Sequence, residues 1–365
     1  MTKKKIFIVG TGAGGHLIPA LSLGEELLDK NRSIIYIVGR NWLNKELFRE
    51  KGFFVRTISG AGFPRKINLN IFWSSIKFLC GFIHALFLIL QDNPELVIGM
   101  GGYISLPVVL AARIFGKKVI IHEQNVHPGL ANRLSSPLAT VVAVSFSETK
   151  RFFPSSKVRI TGNPLRREIG RISRAEGLAY FKLSQDKKTI LVFGGSQGAR
   201  SVNRIFFDSL QMLTPYWKSI QIIHLTGVHD FPEFRKRYKK EEVQVCLLPF
   251  LRRMEYAYGA CDWVISRAGA TTVAEILAAA LPSVLIPYPH AAENHQYFNA
   301  HYMVRLGAAM MFEERDLTPE LMADTIRFLL THPEKLSSMK DKARSPYNGL
   351  DNLTVLIEKL LRTRK

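Results

Sequence analysis

The stretch LVFGGSQGAR, Leu191 to Arg200, decides the fold. Three apolar residues run into Gly194 and Gly195, then Ser196, Gln197, Gly198 and Ala199. A short buried strand that leaves through glycines into a helix is a unit of a parallel α/β sheet. Glycine tolerates positive φ, so the turn has a purely structural reading as a tight strand-to-helix connection. It also has a chemical one. The first N–H groups of the helix are unpaired and lie at the positive end of its dipole. Glycines let a phosphate approach them, and the Ser196 hydroxyl adds a donor. A glycine turn by itself supports both readings.

The same pattern opens the chain. KIFIVGTGAGGH, residues 5–16, is a strand, a glycine turn and the start of a helical pattern that places Leu21 and Leu28 on one face. SIIYIVG, ELVIGM, KKVIIHE, TVVAVS and KVRITGNP read as further strands of the first half. KTILVFGG, IQIIHLTG, EVQVCLLPF, DWVISRAG and PSVLIPYP read as strands of the second. Fully apolar strands separated by helices indicate parallel sheets covered on both faces. The spacing predicts two doubly wound, Rossmann-like domains: residues 1–163, residues 164–340, and a C-terminal helix, 341–365, packing back on the first domain. A polar, charged segment, 162–188, spans the junction. Two such domains make a cleft that the carboxyl ends of the strands face.

Bulk properties narrow the classes. Of 365 residues 47% are hydrophobic and 22% charged, as in a soluble globular chain. Three widely spaced cysteines form neither a disulfide framework nor a zinc pattern. The start MTKKK leads into a short strand, unlike a signal peptide. A net charge of +20 favours anionic partners: nucleic acid, membrane or substrate. The basic residues are scattered and match no nucleic-acid module, so a nucleic-acid partner is not expected. One run departs from the pattern. Residues 67–90, INLNIFWSSIKFLCGFIHALFLIL, carry more large apolar groups than one helix needs to pack on a sheet. Lys77, His84, Ser74 and Ser75 argue against a spanning helix. An outward apolar face at a membrane interface fits the run.

Candidate chemistry gathers at strand ends. His16 follows the first glycine turn, Gly101, Gly102 and Tyr103 follow ELVIGM, and His122, Glu123, Gln124 and Asn125 follow KKVII. Each has a structural role open to it, but together at one face they favour a site. In the second half, Thr271 and Thr272 follow the turn at Gly269 and Ala270. Glu275, in the first turns of that helix, is placed for a ribose diol or for the helix dipole.

Seven motifs now stand in order: GAGGHLIPAL, VIGMGGYISLP, HEQNVHPGLANR, GNPLR, FGGSQGAR, SRAGATTVAEI and HQYFNA. In these, over nearly its whole length, the chain resembles the MurG family of N-acetylglucosaminyltransferases. The resemblance implies a GT-B fold and inverting transfer of N-acetylglucosamine from UDP-N-acetylglucosamine. The acceptor it implies is undecaprenyl-pyrophosphoryl-N-acetylmuramoyl-peptide, a step of peptidoglycan synthesis on which cell-wall biogenesis, cell shape and division depend. It further implies an N-terminal acceptor and membrane domain, a C-terminal UDP-sugar domain, and peripheral attachment to the cytoplasmic face of the bacterial cell membrane, an anionic surface.

By the same resemblance, Gly195, Ser196 and Gln197 meet the pyrophosphate and Glu275 the ribose. The backbone at Leu251 reads the uracil, and Arg166 lies at the nucleotide. Ala270, Thr271, Thr272 and Val273 lie by the diphosphate and sugar, Gln296 and Asn125 bond the N-acetylglucosamine, and Asn203 is a further candidate. Ala13, Gly14, Gly15 and Tyr103 belong to the acceptor side. Two positions depart from the family: Ala13 stands where it usually has threonine, and His295 precedes Gln296 where some members have a second glutamine. No acidic pair suited to a catalytic metal is present, so neither metal nor cofactor is expected. Helix-end donors can stabilise the departing diphosphate. The acceptor hydroxyl needs a base. His16 and Glu123 are the two candidates, and either alternatively positions the acceptor pyrophosphate or the sugar. Other readings stay open: a UDP-N-acetylglucosamine 2-epimerase, a glycolipid glycosyltransferase, or a non-catalytic nucleotide-sugar sensor.

Overall fold

The computed structural model describes residues 4–10, 14–39, 48–49, 51–59, 70–195, 197–344 and 347–363. The chain forms two compact units, residues 1–166 with 347–365, and residues 167–346.

Unit 1 runs β1 (Lys5–Val9), α1 (Gly14–Asp29), β2 (Ser33–Gly39), β3 (Phe54–Ile58), α2 (Asn70–Asp92), β4 (Leu96–Gly99), α3 (Ser105–Ile114), β5 (Lys118–Glu123), α4 (Leu130–Ser135), β6 (Val141–Val144) and β7 (Val158–Ile160). Its seven strands pair in parallel in the order β3-β2-β1-β4-β5-β6-β7. The strands at the middle of the sheet are buried on both faces. Phe7, Val9, Val97 and Ile121 pack on one side with Ala85, Leu88 and Ile89 of α2. Ile6, Ile8, Ile98 and Ile120 pack on the other with Leu23 and Leu27 of α1. Leu28, expected on the inward face of α1 with Leu21, is 37% exposed in the helix's last turn, while Leu21 is buried.

Unit 2 runs α5 (Arg174–Phe181), β8 (Lys188–Phe193), α6 (Arg200–Leu210), β9 (Ile220–Leu225), α7 (Phe231–Tyr238), β10 (Gln244–Leu248), α8 (Met254–Ala260), β11 (Trp263–Ser266), α9 (Ala270–Ala278), β12 (Ser283–Leu285), α10 (His295–Leu306), β13 (Ala309–Met311), α11 (Pro319–Thr331) and α12 (Pro333–Lys342). The strand order is β10-β9-β8-β11-β12-β13, again all parallel. In both sheets the first strand of the unit lies at the centre and the winding reverses beside it. Ligands of open α/β sheets bind at such a reversal, outside the carboxyl ends of the strands.

Helix α13 (Gly349–Arg362) returns to unit 1. Leu353 and Ile357 are fully buried against the α1 layer, worth about 1.5–3 kcal/mol each. Arg32 pairs with Glu358 through one guanidinium edge, its Nε and Nη2, and the Lys4 and Lys118 ammonium groups bond the carbonyls of Leu361 and Leu360 at the helix end. Positive charge there complements the dipole.

Helix α2 has two unlike sides. Ser74, Gly81, Ala85, Leu88 and Ile89 face inward. Phe72, Trp73, Ile76, Leu79, Ile83, Phe87 and Leu90 are all exposed, and at 100° per residue they form one stripe. Of the run 67–90, residues 67–69 lie outside the described residues, as do Arg65 and Lys66.

Candidate active site

In unit 1 the reversal lies between β1 and β4. Helix α1 starts beyond β1 and carries His16 in its first turn. The loop after β4 turns through Gly101 and Gly102, at φ +92° and +82°. A Cβ at Gly101 would come within 3.2 Å of His16 Cε1, so a bare backbone is what lets the imidazole seat there. Its Nδ1 lies 3.0 Å from Gln124 Oε1. Burial lowers the His16 pKa, opposed by the hydrogen bonds the ring makes to the Gln124 side-chain oxygen and the Met100 backbone.

Gln124 is itself buried. Its Nε2 donates to the Met100 carbonyl at 3.0 Å and lies 3.1 Å from His122 Nδ1. His122, fully buried, has Nε2 3.1 Å from the Gly162 carbonyl. Burial pushes the pKa of His122 down to about 4. This is a satisfied core histidine at the end of β5.

Glu123 does a different job from the one expected of a base. Its carboxylate is 1% exposed and accepts from the Asn125 N–H (2.9 Å), Asn125 Nδ2 (3.1 Å), the Gly129 N–H (3.1 Å) and Asn132 Nδ2 (2.8 Å). Burial raises its pKa, and these four donors oppose the rise. Both oxygens are spent holding the loop that leads into α4, so a base at Glu123 would first have to give up that loop. Asn125 is half-buried, Tyr103 is 42% exposed, and Arg166 is half-buried at the end of the segment assigned to unit 1. Gly14 and Gly15 open α1; Ala13 lies outside the described residues.

In unit 2 the reversal lies between β8 and β11. The turn after β8 uses its glycines fully. Gly195 and Gly198 have φ of +97° and +80°, and the Gly198 N–H donates to the Gly195 carbonyl at 3.0 Å. A Cβ at Gly194 would lie 2.3 Å from the Ala199 nitrogen, and one at Gly198 2.3 Å from the Thr226 carbonyl. At Gly195 a Cβ would meet nothing within 4 Å, so this glycine serves conformation rather than packing. Gln197 lies in the same turn; Ser196 falls outside the described residues.

Helix α9 begins after Gly269 with no side chain capping its N–H groups. Ala270, Thr271, Thr272 and Val273 form its first turn, with Thr272 half-buried and the others buried. Glu275 is 5% exposed and accepts from the Tyr258 hydroxyl at 2.9 Å. Gln296 Oε1 accepts from the Ala268 and Tyr288 N–H groups at 3.2 and 3.0 Å, which fixes the side chain and turns its Nε2 donors away from those partners. Leu251, after β10, is 8% exposed.

Asn203 is placed differently from expectation. It is fully buried; its Nδ2 donates to the Thr226 carbonyl and to Asp230 Oδ2, both at 2.8 Å, and Oδ1 meets His224 Nε2 at 3.1 Å. Its amide acts on the 226–230 loop, against which Gly198 packs, and so supports the glycine turn from behind. Of the supporting residues, His122 and Gln124 entered the sequence reading only within a candidate cluster, and Asn132, Tyr258 and Arg267 carried no site role there. Only the polar cluster HEQN signalled the first two. Arg267, 7% exposed, donates to the carbonyls of Ile286 and Pro287, each at 3.2 Å, and to Ser201 Oγ at 3.0 Å. Among the described residues no group of three or more His, Cys, Asp or Glu side chains is arranged to hold a metal ion.

Two doubly wound parallel-sheet units in one chain, each with its strand ends open at the reversal, define the GT-B class of fold. The glycosyltransferase family 28 N-terminal domain model matches residues 6–144, and the family 28 C-terminal domain model matches residues 189–353. A curated relative from Halothermothrix orenii is 40% identical over 352 residues, covering 93% of this chain and 94% of that protein. It is named UDP-N-acetylglucosamine--N-acetylmuramyl-(pentapeptide) pyrophosphoryl-undecaprenol N-acetylglucosamine transferase. A relative of the same name from Myxococcus xanthus is 35% identical, covering 93% of this chain and 88% of that one. The crystal structure of MurG from Acinetobacter baumannii is similar with a TM-score of 0.79 at 27% identity, covering 98% of this chain and 99% of that one. The chain belongs to glycosyltransferase family 28. A putative UDP-N-acetylglucosamine 2-epimerase from Listeria monocytogenes, with a TM-score of 0.69 at 12% identity, shares the fold alone.

Proposed function

We infer that the chain is the N-acetylglucosaminyltransferase that its relatives are named for. It transfers the sugar from UDP-N-acetylglucosamine to the C4 hydroxyl of undecaprenyl-pyrophosphoryl-N-acetylmuramoyl-peptide, inverting the anomeric carbon. The observation that carries this is identity of 35–40% to such transferases over 93% of the chain. Unit 2 takes the donor: the 194–198 turn and the open start of α9 offer backbone donors to the diphosphate, and Glu275 takes the ribose. Those donors stabilise the charge that grows on the departing UDP. In unit 1, His16 is the base for the acceptor hydroxyl. It is preferred over Glu123 because His16 is half-buried as a residue at the strand ends, whereas the carboxylate of Glu123 is committed to its loop. UDP release measured with and without the lipid-linked acceptor tests the function. Release should depend on the acceptor. Epimerisation of the donor without acceptor would point to the other enzyme class, and binding without turnover to a sensor.

The same reading places unit 1 peripherally on the cytoplasmic leaflet. The α2 helix is long and apolar enough to cross a membrane, but its inward side is committed to the sheet. The exposed stripe suits the headgroup boundary, with Trp73 among its aromatics. Helix α3 packs on α2 and α4 on α3, adding exposed Ile114, Leu130 and Leu134 beside Arg113 and Arg133. Co-sedimentation should favour anionic over neutral vesicles and weaken with salt. Replacing Phe72 and Trp73 by serine should reduce it; undiminished binding would remove α2 from the docking face.

A further inference from the structure

The hydrogen bonds around His16 have a direction that two carbonyl groups dictate. A carbonyl oxygen only accepts. The Met100 carbonyl, 3.0 Å from Gln124 Nε2, therefore fixes which end of the Gln124 amide is nitrogen. The reverse orientation would set Oε1 against the Met100 oxygen. With Nε2 at Met100, Oε1 is the atom that faces His16 Nδ1 at 3.0 Å. An amide oxygen accepts too, so Nδ1 carries a proton and donates it.

The far end of the chain gives the same answer independently. The Gly162 carbonyl, 3.1 Å from His122 Nε2, requires a proton on that nitrogen. His122 is fully buried, and burial holds it neutral at neutral pH. Its Nδ1 then carries the lone pair, and it meets the Nε2 donor of Gln124 at 3.1 Å. Every donor faces an acceptor from Gly162 to His16 in this one arrangement.

We propose that Gln124 and His122 are positioning residues that hold His16 in the tautomer protonated at Nδ1, leaving the lone pair on Nε2 to take the acceptor's proton. This rests on the reading of His16 as the base. In the step itself, the acceptor C4 oxygen bonds the anomeric carbon and its proton passes to His16 Nε2. The bond from that carbon to the diphosphate oxygen breaks, and the electron pair leaves with UDP. The resulting imidazolium keeps its Nδ1–H on Gln124 and later loses the Nε2 proton to solvent.

A carboxylate would also orient the ring, as in the Asp-His pairs of other enzymes, but it would raise the imidazole pKa. A neutral amide orients without adding a charge; its hydrogen bond raises the imidazole pKa by less than burial lowers it, so the base stays unprotonated at neutral pH. Besides His16 on α1, the titratable groups in the network are His122 and Glu123, both on β5. His122 is neutral, and Glu123 is joined to it through Asn132, whose Nδ2 lies 2.8 Å from Glu123 Oε2 and 3.2 Å from the His122 carbonyl.

Nitrogen NMR of the full chain with 15N-labelled histidine reads the tautomer directly, with His16 assigned as the signal lost in His16→Ala. The expected result is a protonated Nδ1 and a bare Nε2 in the native protein, with that preference lost in Gln124→Met. Gln124→Met should lower kcat by about 10–100-fold, less than loss of the base itself. Donor KM should stay within about twofold. Gln124→Glu keeps the acceptor for Nδ1–H and should move the acid limb of the kcat profile to higher pH, which a merely structural role would not do. A native His16 protonated at Nε2, or a Gln124→Met enzyme with the native tautomer and pH profile, overturns the proposal. If the tautomer is as drawn but His16→Ala turns over normally, the assignment of the base fails while the hydrogen-bond order stands.

Discussion

The two units share a winding order around their central strands but equip the strand ends differently. In unit 1 the ends of β4 and β5 lead to a network of side chains, His16, His122, Glu123, Gln124 and Asn132, most of them buried and hydrogen-bonded. In unit 2 the ends of β8 and β11 offer backbone: glycines at positive φ, and a helix start with no side-chain cap. Backbone donors bind an anion without titrating and at fixed geometry. A proton has to be taken by a side chain whose protonation state and tautomer are both controlled. On the proposed reading, one fold used twice serves charge at one set of strand ends and proton transfer at the other.

Removing the imidazole should have the largest effect. His16→Ala should cut turnover by about 10²–10⁴-fold, the usual worth of general base catalysis. UDP affinity by calorimetry should not move. Turnover near that of the native enzyme would leave unit 1 without a proton acceptor and erase the contrast.

Acid should act on buried histidines in both units. His122 in unit 1 and His224 in unit 2 are held neutral by burial, with pKa values pushed down to about 4 and about 3. Between those values and about 6.5 the unfolded chain binds a proton at each site that the folded chain does not. Folded stability therefore falls as pH drops from about 6.5 toward 4, at about 1.4 kcal/mol per pH unit for each histidine. Urea unfolding from pH 7 to pH 4 checks this, with a shallower slope expected for His224→Phe. An unchanged slope in that variant would show that His224 does not titrate as its burial requires.

Changing the glycine turn should weaken the donor. In Gly198→Ala, the new Cβ would meet the Thr226 carbonyl at 2.3 Å and sit at φ +80°. Strain and overlap should cost about 2–4 kcal/mol, divided between stability and UDP binding. An unaltered melting curve with native UDP affinity would mean that this turn yields easily and is no rigid cradle. Glu275→Ala should do less. It removes the acceptor of the Tyr258 hydroxyl and should weaken UDP by about 1–3 kcal/mol in a folded protein. Calorimetry showing native affinity would take Glu275 out of the donor site.

Eleven strands were legible in the sequence because each is a short apolar run bounded by turn residues. The two that were not, β3 and β13, lie at sheet edges. An edge strand has a neighbour on one side only and need not be apolar throughout: β3 alternates, with Phe54 70% exposed, and β13 is three residues long. The outward face of α2 was legible as an excess of aromatics over what packing needs; Phe72, Trp73 and Phe87 are exposed, while Phe82 packs on the core. At the strand ends, residue types were readable but their division of labour was not. His122, Glu123, Gln124 and Asn125 are adjacent in the chain, yet their partners come from Met100, Gly129, Asn132 and Gly162. Those partners decide which residue is held and which does the holding. Asn203 was obscure for the same reason, because its partners arrive from β9 and the loop after it.

Steady-state kinetics of His16→Ala and Glu275→Ala side by side, with donor and lipid-linked acceptor each varied, test the division between the units most directly. His16→Ala should lose kcat and keep its donor KM. Glu275→Ala should lose donor affinity and recover most of its kcat at saturating UDP-N-acetylglucosamine. Two variants that lose the same parameter would contradict a proton site in unit 1 and a donor site in unit 2.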